Sequence, residues 1–239
     1  MTFDEIIKLA EEGDVEAMVA AVQEFVWKEH VDVKDSELIE EKTNEYLLKA
    51  ILRGSSDAMN QLGAMYAEGR MVEKDPKQAY LLYKMASERY NALAISNLGF
   101  CYLHGNGTEQ NYEEAYKAFS KAALLGIGDA IVRLGDMFLK GLYVAKDEYL
   151  AIELYTRARN MSIDKLADWG MQQVYSDVCL RLADCYMNGI GMEKNVKAAL
   201  TTYAEAVSFF TLREEKGDSY SSEGLKKAKE GLQKALEEV

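Results

Sequence analysis

Apolar positions along this chain recur at the spacing of helix faces, and the faces themselves recur. In the segment DAMNQLGAMYAEGRMVEKDPKQAYLLYKMA, which starts at Asp57, Ala58, Leu62 and Tyr66 stand four residues apart. That spacing makes one apolar stripe on a helix of 3.6 residues per turn. Gly69 ends the stripe with a residue that takes the left-handed conformation without penalty. Asp75 then offers an N-cap with Pro76 at the first helical position, and Ala79, Leu82, Tyr83 and Ala86 make a second stripe. The segment predicts a pair of helices joined by a short turn.

The same classes then return in column. Thirty-six residues on comes LAISNLGFCYLHGNGTEQNYEEAYKAFSKA, thirty-six further DAIVRLGDMFLKGLYVAKDEYLAIELYTRA, and forty-eight beyond that DVCLRLADCYMNGIGMEKNVKAALTTYAEA. Leu62, Leu98, Leu134 and Leu182 align, followed by Gly63, Gly99, Gly135 and Ala183. An aromatic stands at Tyr66, Tyr102, Phe138 and Tyr186, and a glycine at Gly69, Gly105, Gly141 and Gly189. Asp75, Asn111, Asp147 and Asn195 open the second helices, which carry Tyr83, Phe119, Tyr155 and Tyr203. Repetition at this period is the signature of a stacked array, in which each unit buries its apolar face against the next. Gly63 and Ala79 should let two backbones approach closely, with Tyr66 and Tyr83 filling the core between them.

One stretch, LHGNGTEQ at 103–110, has by itself the composition of a phosphate-cradling loop at a helix start. Its siblings AEGRMVEKD, LKGLYVAKD and MNGIGMEKN show it to be the turn between the two helices of a unit. Met71 and Tyr143 replace its second glycine in two copies, so a phosphate site is not expected.

The ends and one junction are irregular. LAEEGDVEAM resembles the junction between two repeats, which makes residues 3–12 the tail of a truncated unit. Ala17 to Lys28 and Glu37 to Leu52 then form a degenerate helix pair with Phe25 at the aromatic position. Twelve extra residues fall within 161–176, where added helix is expected with Trp169 at an elbow. REEKGDSYSS is expected to be a surface loop. EGLKKAKEGLQKALEEV, with Leu225, Leu232 and Leu236 on one face, reads as a capping helix with a polar outer side. The whole is read as one repeat domain over residues 1–239. It comprises a degenerate unit at 1–53, repeats at 57–91, 92–128, 129–176 and 177–216, and a C-terminal capping helix at 222–239.

The pattern L-G-x-x-Y-x-x-G followed by D/N-x-x-x-A-x-x-x-Y/F-x-x-A resembles the Sel-one-like repeat (SLR) family, relatives of the tetratricopeptide repeats. The resemblance covers about residues 57–206. It implies an all-α, right-handed α/α superhelical solenoid of Sel-one-like, tetratricopeptide-like helix pairs, with the first helices lining a concave surface that takes a peptide or partner. The chain departs from the family pattern in the turn. The second glycine survives only at Gly107 and Gly191, and the valine at Val72 and Val144 becomes Thr108 and Met192, which leaves the turn conformation open.

Composition narrows the function. The net charge of −12 leaves no basic stripe for nucleic acid and leans toward basic or neutral partners. The N-terminus lacks the pattern of a signal peptide, and no apolar run is long enough for a membrane helix. Cys101, Cys179 and Cys185 are an odd number without CxxC spacing, which reads as reduced thiols and a cytoplasmic location; export remains the alternative if a leader has been removed. A monomer or weak homo-oligomer is expected, and no cofactor or metal.

The partner-facing residues are sought on the first helices, opposite the repeated stripe. With Leu62 at zero on a wheel of about 100° per residue, positions 57, 60, 64, 67 and 68 and their equivalents point away, and they vary between units. The candidates are Asn60 and Glu68; Ser96, Phe100, Leu103 and His104; Val132, Asp136 and Lys140; and Leu180, Asp184, Met187 and Asn188. Apolar groups among acids and amides suit a binding groove. They equally suit a seam where neighbouring first helices pack. Only Lys140 among them is a cation, so a clamp for peptide carboxylates is not expected.

The function expected is a non-catalytic protein–protein interaction scaffold. The alternative is an enzyme or enzyme regulator with a small site near Cys101, His104 and Asp136. Cys101 and His104 lie one helical turn apart and could form a thiolate pair. The other histidine is His30, and no further ligands stand at metal-binding spacing.

Overall fold

The computed structural model describes residues 1–27, 36–218 and 220–239, and its described residues form twelve α-helices and no strand. Lys28 and His30 lie outside the described residues. The helices pack as two compact units, Met1–Lys121 and Ala122–Val239. The first unit holds α1 (Phe3–Glu12), α2 (Val15–Trp27), α3 (Ser36–Leu52), α4 (Ser56–Glu68), α5 (Pro76–Ser87), α6 (Ala92–His104) and α7 (Tyr112–Leu124), whose last residues pass into the second. The second holds α8 (Gly128–Lys140), α9 (Glu148–Ile163), α10 (Trp169–Asn188), α11 (Val196–Glu215) and α12 (Ser221–Glu237). Within each unit successive helices pack on one another, an α/α solenoid of helix pairs.

Each pair closes by the same bonds. Gly69, Gly105, Gly141 and Gly189 take φ between 65° and 74°, and their N–H groups bond back to Met65, Cys101, Met137 and Cys185. The N–H of Asp75, Asn111, Asp147 and Asn195 then donates to the carbonyl of Tyr66, Tyr102, Phe138 and Tyr186 at 2.8–3.0 Å. The side chains of those same four residues cap the second helices. The turn that raised the question of phosphate is thus consumed by helix capping.

The second turn position is left-handed in all four copies. Met71 and Tyr143 adopt φ 58° and 66°, close to Gly107 at 73° and Gly191 at 60°. The open question about the turn is settled: its conformation survives loss of the glycine. Glycine is needed where another backbone comes close. A Cβ on Gly107 would lie 1.9 Å from the Pro76 carbonyl oxygen, and one on Gly191 would lie 2.8 Å from the Glu148 carbonyl.

The packing core differs from the sequence expectation in one respect. Tyr83, Phe119, Tyr155 and Tyr203 are buried to 5% exposure or less, whereas Tyr66, Tyr102, Phe138 and Tyr186 are only half-buried. The second-helix ring lies directly against the first helix, so closely that a Cβ on Gly63, Gly99 or Gly135 would come within 2.5–2.8 Å of it. Among the first-helix rings, Tyr102 faces the preceding pair: it meets Tyr80 edge-on at 5.8 Å, and their hydroxyls are 3.2 Å apart. In the fourth pair Ala183 carries a Cβ, and the close approach passes to α12, where a Cβ on Gly231 would lie 2.3 Å from the Tyr203 ring.

At the N-terminus α1 is capped by a Thr2–Glu5 capping box, and α1–α3 bury Met18, Val22, Tyr46 and Leu47. The twelve-residue excess lengthens α9 and α10, with Trp169 opening α10 behind the Asp168 cap. The added turns bury Tyr175, Cys179, Phe210 and Leu225 in a cluster of their own.

The expected surface loop REEKGDSYSS is corrected in part. Arg213–Glu215 continue α11, and Arg213 is buried because its guanidinium bonds Ser176 Oγ at 2.7 Å, Asp177 Oδ1 at 3.2 Å and Asp218 Oδ2 at 2.9 Å.

Two consequences can be measured by urea unfolding. Phe119→Ala should cost about 3–5 kcal/mol as a buried large-to-small change, and Tyr66→Ala clearly less. Gly107→Ala should cost at least about 2 kcal/mol through overpacking at a left-handed position. Tyr143→Gly should change stability by less than about 1 kcal/mol, since relief of left-handed strain offsets the added chain entropy.

Candidate partner-binding face

The second unit carries a motif that the helical wheel passed over. Residues 129–136, DAIVRLGD, and 177–184, DVCLRLAD, share D-x-x-x-R-L-(G/A)-D. At i, i+4 and i+7 the three charged residues stand on one face of α8 and again of α10. On α8, Arg133 lies 3.0 Å from Asp129 and 3.3 Å from Asp136. Arg181 of α10 reaches the same Asp136 with both edges of its fork, Nε to Oδ1 at 2.7 Å and Nη2 to Oδ2 at 2.9 Å. Tyr155 adds its hydroxyl to Oδ1 at 2.7 Å. Burial works to raise the Asp136 pKa, but Arg181, then Arg133 and Tyr155, outweigh it and hold it below the ordinary carboxylate value. The ladder continues through Asp177, 3.9 Å from Arg133 and 3.2 Å from the buried Arg213.

In the second to fourth repeats the residue after the first-helix glycine or alanine meets the ring of the second helix. Phe100 meets Phe119 edge-on at 5.5 Å, Asp136 accepts from Tyr155, and Asp184 accepts from Tyr203 at 2.5 Å. Three of the candidate residues are therefore fixed by the packing of their own helix pair.

The others divide. Ser96 and Val132 are buried, at 4% and 0% exposure, and do not line an open face; here the packing reading of the seam holds. In the first unit Asn60 accepts from Asn97 Nδ2 at 2.9 Å, and half-buried Glu68 lies 3.6 Å from Arg70. His104 is exposed and stacks on Phe100 with centroids 6.1 Å apart, beside half-buried Leu103, whose carbonyl accepts from Gln110. In the second unit Lys140 is exposed at the end of α8, and Leu180 is half-buried between two apolar clusters.

Asp184, Met187 and Asn188 come together at an opening. They line a cleft of about 420 Å³ between α10 and α12, completed by Tyr203, Lys227, Glu230, Gly231, Lys234, Glu237 and Glu238. Met187 is 7% exposed and forms the cleft wall. α12 is more than the capping helix that its sequence predicts. Its Glu223, Lys227 and Glu230 repeat the spacing of Asp177, Arg181 and Asp184, so it carries the charge pattern of a further first helix. Lys227 is drawn to Glu223 at 2.6 Å. Although Asp184 is exposed, the cleft walls desolvate its carboxylate. That effect outweighs the Tyr203 bond and the charges of Arg181, Lys227 and Lys234, and raises its pKa.

The thiols offer little chemistry. Cys101 is 5% exposed among Met59, Tyr83 and Leu98, and burial pushes its pKa up to about 11, the wrong direction for a nucleophile at neutral pH. Asp136 is committed to Arg181. Among the described residues no group of three or more His, Cys, Asp or Glu could hold a metal ion, and no helix is long and apolar enough to cross a membrane.

The Sel1 repeat profile matches at residues 56–91, 92–127, 128–162 and 176–201, together more than half of the chain. The chain belongs to the Sel1 repeat family. Sel1 repeats generally mediate protein interactions. Among solved structures, a Sel1 repeat protein from Oxalobacter formigenes is 23% identical with a TM-score of 0.66, over 90% of this chain and 85% of that one. A protective antigen of uropathogenic Escherichia coli with an SLR fold gives 19% and 0.56, over 100% of this chain and 56% of its own. An immunity protein from Pseudomonas aeruginosa gives 21% and 0.54, over 93% and 81%. At these identities the likeness is one of fold. No curated protein matched the chain.

The two aspartates at one Sel1 position should behave oppositely. Asp136→Asn should cost about 2–3 kcal/mol at pH 7, leaving Arg181 poorly paired. Since its pKa is depressed on folding, that difference should hold above the unfolded value of about 3.9 and shrink as pH falls below it. Asp184, with a raised pKa, contributes least once ionised, so Asp184→Asn should not lower stability at pH 7. Thermal unfolding of both variants between pH 3 and pH 7 checks the contrast.

Proposed function

We propose that this Sel1 repeat chain is a non-catalytic interaction scaffold that binds a peptide or protein segment, of basic or neutral charge, on its first-helix faces. In the first unit that face offers Leu103 and His104, with exposed Leu93 at the start of α6. In the second it offers Lys140, Asp184 and Asn188. The observation that carries the reading is the cleft between α10 and α12, lined by three residues that vary between repeats and by carboxylates in excess of cations. A polar, concave recess between helices is where a solenoid of this kind can take a side chain from outside.

Two surface variants that set positive charge against a basic or neutral segment test it: Leu103→Lys with His104→Lys, and Asn188→Lys. Each should keep the wild-type melting temperature. Proteins captured from the native cell by the intact chain should be lost from at least one variant. Retention of every captured protein by both would overturn the reading.

A further inference from the structure

The structure assigns an occupant to the α10–α12 cleft: we infer that it receives the guanidinium of an arginine side chain on the partner, with Asp184 as the acceptor. This deepens the scaffold reading and rests on it.

The template lies one repeat earlier in the same unit. Asp136 and Asp184 hold the same repeat position, and each accepts a tyrosine hydroxyl from its own second helix, Tyr155 at 2.7 Å and Tyr203 at 2.5 Å. Over Asp136 the next first helix supplies Arg181, whose planar fork meets both carboxylate oxygens. At the register of Arg181, α12 supplies Lys227, and its ammonium lies 2.6 Å from Glu223. A lysine is a point charge on a flexible stem and cannot reproduce the two-bonded geometry. Asp184 and Lys227 instead both line the cleft of about 420 Å³.

The remaining walls fit the same guest. Met187 and Tyr203 line the recess, and the 7% of Met187 that stays exposed gives the methylene stem of an arginine an apolar contact. Asp184, Glu230, Glu237 and Glu238 set four carboxylates against Lys227 and Lys234, and Glu238 is paired with Lys194 outside that set at 2.5 Å. Gly231 keeps the α12 wall low, because the Tyr203 ring occupies the place of any side chain there. An anion would meet more like charge than opposite charge, and a neutral side chain would add no charge to the single Tyr203 bond that Asp184 accepts.

The full chain can be titrated with three blocked tripeptides, Gly-Arg-Gly, Gly-Lys-Gly and Gly-citrulline-Gly, and followed by amide NMR shifts. Citrulline keeps the shape of arginine and removes its charge. The arginine peptide should bind about tenfold more tightly than the citrulline peptide, as expected for a charge-assisted bidentate pair. Its shifts should centre on Asn188 and Gly231, and lysine should fall between the two. Asp184→Asn should erase the arginine preference while leaving the melting temperature unchanged.

Equal binding of arginine and citrulline, shifts centred elsewhere, or an arginine preference that survives Asp184→Asn would overturn the inference. Failure of the peptide test with partner capture still lost in the surface variants would remove the arginine assignment alone. Failure of both would remove the scaffold reading as well.

Discussion

In the first three repeats an aromatic ring on the second helix rests directly against the backbone of the first, and the other regularities follow from that contact. The ring is among the most buried groups of the pair, and it fits because the first helix has glycine beneath it at Gly63, Gly99 and Gly135. A ring against backbone fixes both the distance and the rotation of the two helices, since a close-packed interior leaves no slack for either to shift. It also decides what comes next along the first helix. The hydroxyls of Tyr155 and Tyr203 reach an aspartate there and the bare ring of Phe119 is met by Phe100, whereas Ala64 holds that place in the pair of Tyr83. Three residues at one variable repeat position are thereby tied to the core.

The charge ladder of the second unit is built on that foundation. Asp136 is pinned from its own pair by Tyr155 and from the next first helix by Arg181, so one carboxylate joins two repeats. Partly buried ion pairs of this kind contribute little net stability against an apolar alternative, because desolvation offsets most of the attraction. Their effect is on register: a fork that needs both carboxylate oxygens tolerates no slippage between α8 and α10. At α12 the arginine becomes lysine, the fork is lost, and the carboxylate of Asp184 faces a cleft.

Much of this was legible in the sequence for a simple reason. Helix pairs stacked at a fixed period repeat their core positions, so column agreement exposed the stripes, the glycine stops and the Asp or Asn caps without any knowledge of contacts. The face was less legible. Ser96 and Val132 lie in the direction that a single wheel assigns to the outside, yet they are buried, because a wheel describes one helix and their burial comes from others. Arg133 and Arg181 were missed because polar residues one step off the chosen face were not compared between copies. The repeated D-x-x-x-R-L-(G/A)-D would have revealed them, and the matching Glu223, Lys227 and Glu230 would have marked α12 as more than a cap.

The sequence by itself determined the helix pairs, their boundaries to within a few residues, and the family, because local hydrogen bonding and periodic burial are written in adjacent residues. Only the tertiary structure decided which of two aromatic columns is core. It alone showed that Met71 and Tyr143 hold a left-handed turn without glycine, and that two chemically identical aspartates differ. Asp136 meets an arginine 45 residues away and Asp184 does not. The direction of a carboxylate's pKa depends on what packs over it, and that neighbour comes from a distant part of the chain.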